Sequence, residues 1–171
     1  MKRTAMKRGK GIKRQSESNS RPWENLKLRE AYRVAHGYDW VWPLIVESGH
    51  KKEMLPHIRP QTGHRWDTPA DQLHHVFHSG KERHDLHGNL IALCDLVHKL
   101  DSTRWQNEFR IACLYAKLKH GEWNLAELNI AAGANRPDAQ PVLSWLETHR
   151  SGLDYFERLR FELIRTIEKG V

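Results

Sequence analysis

The 171-residue sequence predicts an α+β fold with a small sheet and a mainly helical C-terminal part. Three observations carry this. Two short β-compatible runs, "DQLHHVF" and "NLIALC", lie close together mid-chain; a long amphipathic helical pattern follows them; and only helical patterns occupy the stretch after Gly121. A hydrophobic fraction of 39% with seven tryptophans supplies material for a packed core, which argues against general disorder. The length suits one good-sized domain, or a small domain with appendages.

Taken in order, residues 1–20 form a basic and polar tail. The segment 21–65 opens with a helix, "PWENLKLREAYRVAHG": Ser20 or Asn19 is placed to cap it, Pro22 sits at its start, and Gly37 stops it. Leu26, Leu28, Tyr32 and Val34 are its apolar positions. From Tyr38 to Pro69 four prolines and several aromatic residues predict short strands and loops. Residues 66–121 hold the two β-compatible runs and then "STRWQNEFRIACLYAKLKHG", a helix with Ser102 as N-cap and Gly121 as stop. Trp105, Phe109, Ala112, Cys113 and Ala116 share its buried stripe. In 122–171, "NLAELNIAAG" and "PVLSWLETHR" read as short helices around a turn-rich connection. "LDYFERLRFELIRTIEKG" reads as a last amphipathic one.

Charge is distributed unevenly. Residues 1–14 carry seven basic side chains (Lys2, Arg3, Lys7, Arg8, Lys10, Lys13, Arg14) and no acid, while the whole chain has 28 basic and 21 acidic residues. Without this arm the remainder is formally neutral, so the arm carries the entire excess of +7. So dense a cationic run, lacking apolar periodicity, is expected to be disordered when free and drawn to a polyanion. Nucleic acid is the expected partner, because phosphates relieve the mutual repulsion; a plain solubilising tail is the alternative. Two cysteines cannot build a disulfide framework, which favours a reducing cytoplasm, such as that of a bacterium or a phage-infected cell. No run approaches a membrane span, and the charged N-terminus lacks the apolar block of a secretory signal.

The segment Asp71 to Leu100 concentrates six of the chain's twelve histidines. Its pattern predicts a strand, a polar loop "HSGKERHDLHG", a second strand and a helix beginning at "DLVHKL", bringing His74, His75 and His98 to one end. Asn89 lies fourteen residues after His75 and nine before His98.

With those residues and spacings the segment resembles the HNH nuclease family, also called ββα-metal or His-Me finger nucleases. "NLIALCDLVH" matches the wider family text "NLxxLCxxCH" at every position but one. The resemblance covers roughly residues 66–100 and implies a small ββα-metal core with flanking helices. It also implies a metal-dependent endonuclease that hydrolyses DNA, in all expectation double-stranded. One departure stands out. Many such proteins carry Cys-x-x-Cys pairs for a structural zinc, whereas this chain has Val97 where the second cysteine would fall and no upstream pair.

Phosphodiester hydrolysis needs an activated water, stabilised phosphoryl charge and help for the leaving oxygen. His74 and His98 are the expected ligands of one divalent ion, which could be magnesium, manganese, nickel or zinc; imidazole ligation favours the softer ions over magnesium. His75 points to the other face of the strand and is the expected general base, an unperturbed imidazole titrating near 6.5. Asn89 is expected to hold His75's orientation. Arg83 and His84 are candidates for contact with the phosphate backbone, although His78, His84 and His87 could equally be ordinary surface residues. The alternative function is a non-catalytic nucleic-acid-binding or assembly module, with a degenerate HNH fold or a structural zinc at Cys94 and His98 with two upstream histidines. The compact, basic design also resembles phage or mobile-element proteins.

Overall fold

The computed structural model describes residues 22–55, 68–78, 85–136 and 138–170. Its only sheet among these residues is a two-stranded antiparallel ribbon, β1 (Gln72–His75) beside β2 (Leu90–Leu93). Gln72 faces Leu93, and His75 faces Leu90. β2 is fully buried at all four positions, which is why "LIAL" shows no polar alternation. The backbone pairing runs past both strand ends, through Asp71 N–H to Leu93 O and Val76 N–H to Asn89 O.

Helices enclose this ribbon. α1 (Pro22–His36) packs across both strands; α2 (Trp42–Glu47) and the single turn α3 (Lys51–Met54) follow it. After β2 comes α4 (Asp95–His98), packed against β1 and continued by a 3-10 turn over Lys99–Ser102. α5 (Gln106–Lys119) is the central helix, and α8 (Asp154–Glu168) lies along it. α6 (Leu125–Ala131) and α7 (Pro141–Thr148) close the remaining side. One apolar cluster runs from Val41 through Ile91, Phe109 and Leu114 to Leu163 and Ile167. The small sheet thus depends on helices for its core, since an isolated two-stranded ribbon is marginal in water. Among the described residues no helix is long and apolar enough to cross a membrane.

Several elements lie where the sequence put them. α1 ends before Gly37 and α5 before Gly121, both glycines in the left-handed region at φ 75° and 74°. Asn124 caps α6 through its side chain, which accepts the Glu127 N–H.

Three local expectations need correction. Residues 42–54 form helices, not strands: Pro43 lies in the first turn of α2, where a missing N–H costs nothing, and Asp39 Oδ1 accepts the Val41 and Trp42 N–H groups just ahead. Ser102 is not the cap of α5, which begins four residues later. The Ser102 hydroxyl donates back to Lys99 O, while Thr103 Oγ1 accepts the Trp105 N–H. Finally, α1 buries Tyr32 and His36 while Leu26 and Val34 stay exposed, because its inner face is semi-polar.

Candidate functional site

The strand–loop–strand–helix order of residues 72–98 brings His74 and His98 together. His74 sits on β1 opposite Ile91, and His98 ends α4. Their ring centroids are 5.3 Å apart and near perpendicular. His74 is buried, its other ring neighbour being Phe109 of α5 at 5.0 Å. Burial lowers the His74 pKa to about 3, helped by His98, Arg110 and His75 and opposed chiefly by the Asp101 carboxylate. The ring is therefore neutral near pH 7, the state that can donate a lone pair to a cation.

His75, the next residue, makes a different contact. Its Nε2 lies 2.7 Å from Asp85 Oδ1, across the start of the return toward β2. Arg29 Nε of α1 stands 4.0 Å from the same oxygen. The alternation of β-strand side chains thus gives the two adjacent histidines separate partners.

Asn89 is fully buried and fastens the end of β1 to the start of β2. Its Nδ2 donates to Phe77 O at 2.9 Å, and its Oδ1 accepts the Phe77 N–H at 2.8 Å. The sequence assigned Asn89 to the orientation of His75. The contacts found fix the main chain two residues beyond His75, so any influence through them passes along the backbone.

The turn carrying Asn89 is itself clamped. Asn89 N–H donates to Leu86 O at 2.8 Å, and Gly88 N–H donates to Glu127 of α6. A Cβ at Gly88 would come within 2.9 Å of both Asn124 Cβ and Glu127 Oε2, so only glycine lets α6 approach this closely. On the other side, the buried Lys117 ammonium donates to Leu90 O at 2.8 Å and to Glu122 at 3.2 Å. The Tyr32 hydroxyl lies 2.6 Å from both of those acceptors. Desolvation lowers the Lys117 pKa, and the Glu122 carboxylate resists that shift. Helices α1 and α5 therefore meet at Leu90, the first residue of β2, and α6 holds Gly88 just ahead of it.

Further groups near His74 were not singled out by sequence. Asp101, three residues after His98, accepts from Gln106 Nε2 at 3.2 Å and lies 3.9 Å from Arg110. The Arg110 guanidinium packs over Phe77 and Trp145 at just over 5 Å. The helical pattern of α5 could have placed Arg110 one residue from the Phe109 that touches His74. Asp85 and Asp101 gave no such signal, because neither stands at a regular spacing from the histidines. Among the described residues, no three His, Cys, Asp or Glu side chains converge as a group that could hold a metal. His74 and His98 thus stand as a pair.

Cys94, the proposed zinc ligand of the alternative reading, is buried at the start of α4. Burial and the Asp39 carboxylate push its thiol up to about 12. His78 and His87 are exposed. The basic residues Lys2, Arg3, Lys7, Arg8, Lys10, Lys13 and Arg14, together with Arg83 and His84, lie outside the described residues.

The two-imidazole pair, the histidine–carboxylate contact and the buried asparagine thus stand on their own geometry, since no family model, curated protein or solved structure matches this chain.

Proposed function

We propose that this protein is a metal-dependent endonuclease of the HNH type that hydrolyses DNA phosphodiester bonds. The observation that carries the reading is the His74–His98 pair on a strand–loop–strand–helix unit, 5.3 Å between centroids. An ion about 2.1 Å from an imidazole nitrogen lies roughly 3.2 Å from that ring's centroid, so two rings on one tetrahedral ion have centroids about 5.2 Å apart. The observed separation fits that value, and the neutral state of the buried His74 suits it as a ligand.

His74 and His98 would hold one divalent ion. When bound, such an ion supplies Lewis-acid stabilisation of charge on the phosphoryl and leaving oxygens. His75 removes a proton from water; the resulting hydroxide attacks phosphorus, the bond to the 3′ oxygen breaks, and solvent returns a proton to that oxygen. Asn89 braces the hairpin that presents His74 and His75. The basic arm of residues 1–14 supplies sequence-independent attraction to the duplex. We place this activity in the cytoplasm of a bacterium or phage-infected cell.

The test is supercoiled plasmid incubated with magnesium, manganese, nickel or zinc in turn, with and without chelator. Nicking that chelator abolishes and His75→Ala removes is the expected result. Binding without nicking under every ion would favour a non-catalytic nucleic-acid-binding module instead.

A further inference from the structure

We infer that Arg110 grips a nonbridging oxygen of a DNA phosphodiester beside His74. The inference rests on the DNA-binding part of the reading above, because it takes the phosphate as its ligand. Arg110 stands on α5 next to Phe109, whose ring lies 5.0 Å from that of His74, and its positive charge reaches His74. The guanidinium carbon lies 5.3 Å from the Phe77 ring centre and 5.2 Å from that of Trp145, so two aromatic rings carry it. Phe77 is itself fixed, through both main-chain hydrogen bonds to Asn89. The fork is therefore held in place before any ligand arrives.

What the fork lacks is an acceptor. The Asp101 Oδ1 oxygen is 3.9 Å from Nη2, too far for a hydrogen bond, and it already accepts from Gln106 Nε2 at 3.2 Å. No hydrogen bond joins the guanidinium to any described residue. A buried arginine with a structural task looks different in this same protein. Arg160, with 5% of its side chain exposed, donates to Leu146 O at 2.9 Å and to Glu157 at 3.1 Å. Arg110 keeps 13% of its side chain exposed and is matched by aromatic contact and one distant carboxylate. A guanidinium stays protonated in proteins and offers five donors, so leaving them unmatched away from bulk water is costly. Two oxygens of one phosphate match that fork bidentately, which neither a lone carbonyl nor a lysine reproduces.

Binding of a short DNA duplex to the full chain in chelator, followed by fluorescence anisotropy, separates this contact from any metal chemistry. Arg110→Gln should weaken binding about 10-fold, the scale of a hydrogen bond to a charged group. It should also lower the log–log salt slope by about 0.9, the share of one phosphate contact. Arg110→Lys keeps the charge, and hence the slope, but loses the fork, so its affinity should fall between the two. Under the ion that supports nicking, Arg110→Gln should lose about 10²- to 10³-fold in kcat/KM, as when one donor to a developing negative charge is removed. A residue that only braced Phe77 and Trp145 would lower stability and leave the salt slope unmoved. Should Arg110→Gln fail to fold, the wild type carries the test, because the nitrogen-15 signal of Arg110 Nε–H should shift on adding duplex. A wild type that binds duplex with that signal unshifted would overturn the role of Arg110, as would an Arg110→Gln protein with wild-type affinity and slope. A wild type that binds duplex through Arg110 but nicks it under no divalent ion would overturn the nuclease reading and support the phosphate grip. A wild type that binds no duplex would overturn both.

Discussion

Replacing Asn89 by alanine should destabilise the fold and disturb the hairpin that carries His74 and His75 together. The side chain is fully buried and makes a reciprocal pair of hydrogen bonds with Phe77, donating to its carbonyl at 2.9 Å and accepting its N–H at 2.8 Å. Phe77 is buried as well, so alanine leaves two main-chain groups without this partner in a place where water enters with difficulty. A neutral hydrogen bond contributes about 0.5–1.5 kcal/mol net, and an orphaned buried group costs about 1–3 kcal/mol. The two sites together give a loss of about 2–5 kcal/mol. That is a large share of the 5–15 kcal/mol typical of a domain. Asn89→Asp sharpens the reasoning: it keeps the acceptor for Phe77 N–H but sets an oxygen against Phe77 O, so its cost should be comparable. Urea unfolding followed by tryptophan fluorescence measures both variants, and amide exchange at Phe77 reports the local bond. Since Phe77 lies two residues beyond His75, nicking should fall about 10- to 100-fold while metal uptake stays close to wild type. A loss below about 0.5 kcal/mol, or an Asn89→Asp protein as stable as wild type, would refute this account of the asparagine.

His74→Ala and His98→Ala should each weaken binding of a divalent ion at least about 10-fold by calorimetry, since each removes half of the imidazole pair, whereas His75→Ala should keep metal affinity within a few-fold and lose about 10²–10⁴ of the rate. Unchanged metal affinity in both His74 and His98 variants would move the site elsewhere. Stability should fall with acid because of His36, whose buried Nε2 has no hydrogen-bond partner among the described residues and whose pKa burial lowers to about 4. The unfolded chain takes up that proton near 6.5, so the contribution is complete above pH 6.5 and is lost as pH falls toward 4, by at most about 3 kcal/mol. His36→Phe, which preserves the stack on Trp40 at 3.4 Å, should flatten the pH dependence of the urea midpoint; equal slopes would refute the assignment. Deleting residues 1–14 should lower the salt dependence of DNA binding by at most about 6 in log–log slope, and equal slopes would mark the arm as a solubility tail.

Much of the local structure was legible because it depends on neighbours in sequence. The run from Asp71 to Leu100 shows its strand, strand and helix through β-compatible and apolar residues, and the glycines at 37 and 121 end helices where only glycine is comfortable. The stretch from Trp42 to Met54 was not legible, because its proline and aromatic residues suggest strands and loops. In fact Pro43 occupies a helix first turn, and the cap comes from an acid at Asp39 that belongs to no helical register. At the site, the His74–His98 approach follows from spacing within a thirty-residue unit. Asp85 and Asp101 do not follow from it, since the non-repetitive backbone at Asp85 and Leu86 and a 3-10 turn set where their carboxylates fall. Nor could sequence foresee that Asn89 bonds the main chain of Phe77. An asparagine offers a donor and an acceptor to whatever backbone approaches it, and only the closed hairpin decides which.

What holds α4 in place connects the fold to the proposed chemistry. In the pattern that this segment resembles, a second cysteine often falls where Val97 stands, and a zinc then ties the helix to the rest of the chain. Val97 is fully buried in the apolar cluster, along with Leu100 one turn on. The main chain at the start of α4 is fixed by Asp39, whose Oδ2 accepts the Cys94 N–H at 2.8 Å while Oδ1 holds Val41 and Trp42. Burial raises the Asp39 pKa against these three hydrogen bonds, each of which favours the carboxylate. One side chain from the α1–α2 connection therefore sets where α4 begins, and four residues later α4 delivers His98 to His74. Replacing Asp39 with alanine would free both the start of α2 and the start of α4. The His74–His98 pair and the core are coupled through that single carboxylate, so in this chain the precision of the pair is a property of the whole helical shell rather than of the strand–strand–helix segment alone.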